Sequence, residues 1–239
     1  MAISTFTSRF GDYFKRHGFR ATVRRMVLAT RRALFSNRQV VFWCDLSRQT
    51  SPPASLPDSL RVERKRNAAE IDPQELAQII NIWNARLAQR NMEERFDKGA
   101  SLWLIKFKGE LAGYGWTLQG KTIAPYYFPL ADDDVQFFDF HVFPQYRGRA
   151  IDWFLMTKVL QEVADNGAAR AFAEAAEWNQ ASLSSITSTS FRRLGCVRSL
   201  TVQGCTIVCW DQKSVGEEKP TKWQKNRALS SSNGSGFGS

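Results

Sequence analysis

The sequence predicts a mixed α/β fold, an α+β sheet with the element order β-α-β-β-β-α-β-α-β-β, behind a basic helical extension. Three observations predict it. Strand-like and helix-like patterns alternate between residues 60 and 211. A hydrophobic run, Gln136 to Phe143, passes through a glycine-containing turn into a helical pattern, as in a crossover between parallel strands. Hydrophobic residues make up 43% of 239, enough for one domain with a substantial core plus appendages.

The elements divide the chain into four parts. Residues 1–48 form a basic amphipathic extension. Within it, Phe19, Val23, Met26, Val27 and Leu34 recur at helical spacing over 18–35, flanked by Arg20, Arg24, Arg25, Arg31 and Arg32. Such a helix either lies on an anionic membrane surface or packs on the domain with its basic face in solvent. Gln39 to Leu46 then reads as a short strand. Residues 49–59 are a Pro- and Ser-rich linker, 60–211 the folded domain, and 212–239 a charged, then Ser/Gly-rich tail too polar to order itself.

Within the domain, Leu60–Lys65 is a strand. Asp72, Pro73 and Glu75 supply an N-cap, a first-turn proline and an N3 acid for a helix running to about Arg90. A second helix over 91–98 is poorly marked. Leu102–Lys108 and Leu111–Leu118 form a hairpin turning at Lys-Gly. Gln119–Asp134 is a loop and Gln136–Phe143 the central strand. Gly148–Asn166 is a helix stopped by Asn166-Gly167, and Arg170–Ala175 a strand parallel to the central one. Asn179–Ser190 is a helix. Cys196–Val202 and Thr206–Trp210 close the domain as a hairpin around Gly204.

The most informative stretch is Val142-Phe-Pro-Gln-Tyr-Arg-Gly-Arg-Ala-Ile151. A strand entering a helix through a turn presents unpaired N–H groups and the positive end of the helix dipole, which favour an anion. Arg147 and Arg149 add charge, and Gly148 has no Cβ to obstruct a phosphate. The spacing of a G-x-G-x-x-G dinucleotide motif is missing. Gln145-x-x-Gly148-x-Ala150, preceded by Val142-x-Pro144, resembles the Q/R-x-x-G-x-G/A signature of GCN5-related N-acetyltransferases, the GNAT superfamily. Asn179-x-x-Ser182 followed by Phe191 resembles that family's second element. The resemblance covers roughly Leu60 to Trp210. It implies a GNAT-like acyl-CoA N-acyltransferase fold and acetyl-CoA, or another acyl-CoA, as co-substrate. It further implies a pyrophosphate site on Gln145, Tyr146, Arg147, Gly148, Arg149 and Ala150, backbone pairing of Val142 with the pantetheine arm, and contacts to that arm from Asn179 and Ser182. One departure stands out: the tyrosine that often serves as general acid is replaced by Ile186 or, in a shifted register, Phe191.

Two base candidates, Asp139 and His141, sit two apart on the central strand. Alternation puts them on one face and Phe138, Phe140 and Val142 on the other. A histidine near neutrality, or a carboxylate raised by aromatic surroundings, takes the proton an attacking amine or hydroxyl must lose. Glu174 and Glu177, after the neighbouring strand, are weaker candidates. The reading that follows is acetyl transfer to an amine or hydroxyl by direct attack. The alternative is an inactive GNAT-fold acyl-CoA-binding or scaffold module recruited by its basic N-terminus.

The net charge of +10 belongs to the ends: residues 1–48 hold 10 Lys/Arg against 2 Asp/Glu, whereas 49–212 are nearly balanced, 18 against 19. That argues against a nucleic-acid-binding core and for a small-molecule or envelope-precursor acceptor, with residues 18–35 contacting an anionic membrane surface. The four cysteines, Cys44, Cys196, Cys205 and Cys209, lack C-x-x-C spacing, and the histidines are only His17 and His141, so no metal site is expected. No run approaches the roughly 18–20 apolar residues of a membrane span, and the N-terminus lacks a signal peptide's apolar region. The expected location is cytoplasmic, peripheral to the inner face of the membrane, with the thiols reduced and buried.

Overall fold

The computed structural model describes residues 38–47, 57–82, 84–124, 126–202 and 205–211. The expected helix over 18–35, most of the linker and the tail lie outside them. Eight strands form one sheet: β1 (Arg38–Asp45), β2 (Leu60–Lys65), β3 (Ser101–Phe107), β4 (Glu110–Gln119), β5 (Asp134–Val142), β6 (Arg170–Ala176), β7 (Arg192–Val202) and β8 (Cys205–Trp210). Their order is β2-β3-β4-β5-β6-β1-β7-β8. The β5–β6 pair is parallel, as the crossover rule predicts, and every other pair is antiparallel.

The first strand corrects the expected domain boundary. Residues 38–45 are no appendage: β1 pairs with β6 on one side and β7 on the other. Val40, Val41, Phe42 and Cys44 are buried, so both of its faces are covered. The unbroken apolar run Val-Val-Phe-Trp-Cys is what a strand covered on both faces requires. The closing hairpin therefore reaches β6 only through β1.

Helix α1 (Pro73–Asn81) opens as expected, with the Asp72 carboxylate accepting from the Gln74 and Glu75 amides at 2.8 and 3.4 Å. It ends at Asn81 rather than near Arg90. Asn84 then caps α2 (Ala85–Asp97) by accepting from the Leu87 amide at 3.2 Å. A short polar side chain that binds local backbone competes with helix continuation, so the expected long helix is two. Phe96 of α2 packs edge-on to Trp116, covering one face of the sheet.

Helix α3 (Ile151–Asp165) lies across β3, β4 and β5, burying Ile151, Leu155, Met156, Val159, Leu160 and Val163. It starts three residues later than expected, because Pro144–Tyr146 form a separate 3-10 turn. Helix α4 (Gln180–Thr187) packs on α3 and β6. Cys44 and Cys196 are buried thiols outside any disulfide, and burial pushes the Cys44 thiol up to about 11. Cys209 is exposed, against the expectation of a core position. None of the helices in the described residues is long and apolar enough to cross a membrane.

If β1 is a core strand, Phe42→Ala removes a side chain that is 1% exposed. Denaturant unfolding should show a loss of about 3–5 kcal/mol. A loss under about 1 kcal/mol would place Phe42 outside the core.

Candidate active site

Strand β5 is paired with β4 along almost its whole length but with β6 only over Asp134–Phe137, opposite Arg170–Ala173. Beyond Phe137 and Ala173 the two strands part. Residues 138–142 keep β4 alone, and 174–176 keep β1 alone. The opening between them is flanked by the two stretches singled out in the sequence. The turn 143–150 follows the β5 arm, and Asn179 follows the β6 arm, its amide donating to Ala176 O at 2.8 Å.

At the β5 arm, the Phe143 amide donates to Ala112 O of β4 at 3.0 Å. Alternation turns the N–H and C=O of Val142 to the opposite edge, toward the parted strand. Val142 O accepts from Arg147 Nε at 3.4 Å. The Val142 backbone is thus aimed where an extended ligand arm would pair.

In the turn, the Tyr146 and Arg147 amides donate to Phe143 O and Pro144 O. The next amides, at Gly148, Arg149 and Ala150, have no backbone acceptor among the described residues. Gly148 takes φ +75°, and a Cβ built on it meets nothing within 4 Å. Ala150, the N-cap of α3, is left-handed at φ 55° and offers no capping side chain. The first turn of a fifteen-residue helix therefore opens beside free space with unpaired donors, a fit for an anionic group. Arg147, Arg149 and Gln145 are exposed around it. Arg149 stacks over the Phe107 ring, its Cζ 5.1 Å from the centroid. Tyr146 is buried, and its hydroxyl donates to Glu110 Oε2 at 2.5 Å, which raises its pKa. Its side chain anchors the turn, so only its backbone is left to face a ligand. Across the opening, the Asn179 side chain caps α4 through the Ser182 amide at 3.3 Å, and its Nδ2 donates to Ser182 Oγ at 2.7 Å.

The base candidates are arranged differently from the simple alternation. Tyr114 pairs with His141 and Trp116 with Phe138, so Gly115 faces both Asp139 and Phe140 across a β-bulge. Asp139 carries φ 52° there. The extra residue turns Phe140 to the other face, where its ring stacks on Phe137 at 5.5 Å and covers Gly115. A Cβ at Gly115 would lie 2.4 Å from that ring, which explains glycine at that position. Phe138 and His141, expected on opposite faces, now share one: Phe138 stacks on Trp116, and His141 lies against Tyr114 and Phe143.

Asp139 is not a free base. Its carboxylate accepts from Arg95 Nη1 at 2.7 Å, and that guanidinium packs over the Trp116 and Phe138 rings. Nothing in the sequence around Arg95 pointed to this role, since the contact spans 44 residues. His141 is half-buried. Desolvation holds its pKa below the ordinary value, the Arg147 cation lowers it further, and Asp139 opposes both. The imidazole is therefore neutral near pH 7 and able to accept a proton. Ile186 and Phe191 are both buried and apolar, so neither has a proton to give.

The chain belongs to the GNAT acetyltransferase family, whose sequence model matches residues 65–186. No curated protein matches it. Solved structures similar to it include a GNAT-family protein of Novosphingobium aromaticivorans at 15% identity, covering 66% of this chain and 60% of that one, with a TM-score of 0.44. A tandem GNAT protein from the clavulanic acid biosynthesis pathway is 18% identical over 65% of this chain and 50% of its own length, TM-score 0.47. An aminoglycoside acetyltransferase from an uncultured soil metagenomic sample is 17% identical over 55% of this chain and 87% of its own, TM-score 0.40. The chain thus spans between half and three fifths of the first two.

With only His17 besides it, His141 is open to proton NMR titration. Its midpoint should lie below about 6.5. Arg147→Met removes a cation and should move the midpoint up; Asp139→Asn removes an anion and should move it down. A midpoint above 6.5 in the parent would contradict the desolvated setting. Because the folded pKa is depressed, His141 favours the folded state above about pH 6.5, and that contribution fades as the pH falls through the lower folded value.

Proposed function

We propose that this chain transfers an acyl group, most simply acetyl, from coenzyme A to an amine or hydroxyl by direct attack. The parting of β5 from β6 beside an unpaired glycine turn is the observation that carries the reading. In this reading the Gly148, Arg149 and Ala150 amides hold the pyrophosphate, with Arg147, Arg149 and Gln145 alongside. The Val142 backbone pairs with the pantetheine arm, and Asn179 and Ser182 line its far side. Bound acetyl-CoA supplies a thioester as the acyl donor.

This chain's residues do the rest. His141, neutral near pH 7, takes the proton that the acceptor loses at Nδ1 or Nε2. Asp139, held by Arg95, offsets the imidazolium charge that then forms. The β5 arm and the α3 terminus fix the donor's position, and positioning of reactants accounts for much of the rate in a direct transfer. Apolar Ile186 and Phe191 leave the departing thiolate to take its proton from solvent or from the acceptor.

Two measurements test this. In calorimetric titration, acetyl-CoA should bind the parent and not Gly148→Glu, while Gly148→Ala, strained but uncharged, should keep part of the affinity. Equal loss in both variants would reduce the turn to a backbone requirement, and no binding by the folded parent would end the coenzyme reading. Once an acceptor is found, His141→Gln should lower kcat by about 10²–10⁴ with little change in acetyl-CoA affinity; an unchanged kcat would remove His141 as the base.

A further inference from the structure

A cavity lies at the end of the sheet away from the strand opening. Its volume is about 290 Å³, and the ends of α2 and β4 and the starts of β3 and β5 surround it. Val135, near the start of β5, lines the cavity, whereas Val142 closes the same strand beside the turn 143–150. Helix α3 likewise starts at that turn and brings Val163, near its other end, to the cavity wall. The two places are about 18 Å apart along that helix, at ~1.5 Å of rise per residue.

Strand pairing gathers the lining on one face. Arg64 pairs with Trp103, Ser101 with Thr117 and Gln119 with Val135, and alternation keeps these positions on the same side. Ser101 and Thr117 are each only 4% exposed. Ser101 Oγ accepts from Arg64 Nε at 3.0 Å, and Thr117 Oγ1 accepts from Trp103 Nε1 at 2.8 Å. A hydroxyl that accepts still has its own proton to donate. Neither proton has an acceptor among the described residues, so two buried donors are left over at the cavity wall.

Three cations complete the lining, Arg64, Lys98 and Lys121, and no carboxylate among the described residues joins them. The Arg64 guanidinium is held in place by Ser101 and by the Trp103 ring, 5.2 Å from Cζ to the centroid. Its two Nη groups enter no hydrogen bond or ion pair among the described residues. Lys98 spends two of its three N–H groups on Glu94 Oε1 and Ile123 O, at 2.8 and 2.7 Å. Exposed Lys121 has no ion pair among the described residues. Partial desolvation and the Arg66 cation lower the Arg64 pKa; Glu162 opposes them, but Lys158 already holds that carboxylate at 3.0 Å. Like charges around one small space repel unless an anion sits between them.

We infer that this cavity is a second binding site, separate from the strand opening, and that it takes a compact oxyanion carrying at least two negative charges. Cavities for apolar ligands are walled mostly by apolar side chains and begin at about 300 Å³. This one is mostly polar and at the lower edge of that range, which fits a small charged ligand. The Arg64 fork matches two oxygens of a phosphoryl or a carboxylate group alike. The Ser101 and Thr117 hydroxyls donate from the wall, and Lys98 and Lys121 supply the remaining charge. The site stands whether or not the strand opening carries out acyl transfer.

The test titrates sodium phosphate and sodium succinate separately into the intact protein at neutral pH. Sodium chloride holds the ionic strength constant, so that screening does not imitate binding. Amide and indole N–H resonances are followed by NMR. The Gly99 and Ser101 amides, and the Trp103 indole N–H that reports on Thr117, should shift saturably, with half-saturation at about 1 mM or below. Whichever probe binds more tightly identifies the ligand as phosphoryl or carboxylate. Arg64→Met keeps the stem on Trp103 without the fork and should weaken binding at least about tenfold. Lys121→Met, at an exposed position, should weaken it severalfold in a protein whose circular dichroism is unchanged. Failure of both probes to saturate, or undiminished binding in the two variants, overturns the site. So do shifts confined to residues 148–150, which would mean the coenzyme turn, or to the basic residues 1–48.

Discussion

Backbone pairing runs out between β5 and β6 after a few residues, and the rest of the site depends on where it runs out. A strand in the middle of a sheet has two rows of hydrogen-bonding groups to satisfy. Strand β5 satisfies the β4 row almost to its end but loses the β6 row after Phe137. The Val142 backbone is left facing a gap, the helix that follows starts at the gap's rim, and the helix after β6 starts at the other rim. The pairs Asp134–Arg170 to Phe137–Ala173 hold the arms together at one end. Arg170 strengthens that end with a two-point ion pair to the buried Asp134, at 2.7 and 2.8 Å. Beyond it the arms are held apart by what each packs against.

The bulge at Asp139 decides the chemistry of one arm. One extra residue exchanges the faces of Phe140 and of everything after it, which brings His141 round to the side of Trp116 and α2. There Arg95 takes Asp139, and the imidazole is left among aromatic rings that keep it neutral. The other arm carries Glu174, whose pKa is raised by burial beside the aromatic cluster of Phe172 and Phe128. One arm thus carries a carboxylate matched by a guanidinium, and the other a carboxyl that no cation meets among the described residues. That asymmetry follows from Arg95 reaching one arm only.

Much of the fold was legible because it is written locally. The Asp72-Pro73-Glu75 start, the Lys108-Gly109 turn and the Asn166-Gly167 stop each act within a few residues and stand where the sequence put them. So does the run 142–151, whose helix merely begins later because Pro144–Tyr146 close a turn of their own. The failures are non-local or locally ambiguous. Asn84 breaks a helical pattern without an acid three residues on to mark it; Leu87 stands there instead. The bulge at Asp139 exists because Gly115, on another strand, gives room for Phe140. The ion pair of Asp139 with Arg95 and the aromatic wall around Glu174 are contacts between distant segments, which no periodicity reports. The inclusion of β1 was hidden in the same way: its strand character was plain, but its partners lie far along the chain.

That last arrangement has a consequence for biosynthesis. A strand made first sits between two strands made late: Arg38–Asp45 pair with residues 170–176 and 192–198. Closing such loops is entropically slow, and contacts of this sequence separation delay folding. While the chain emerges from the ribosome, β2 to β5 can form their meander, yet β1 has no partner to pair with. Its apolar sequence, buried on both faces in the end, stays exposed until the last third of the protein has been made. Such a segment invites edge-to-edge association during that interval. A chain stalled before residue 170 would therefore be more prone to aggregate than its finished form, and the protection comes from completing the sheet.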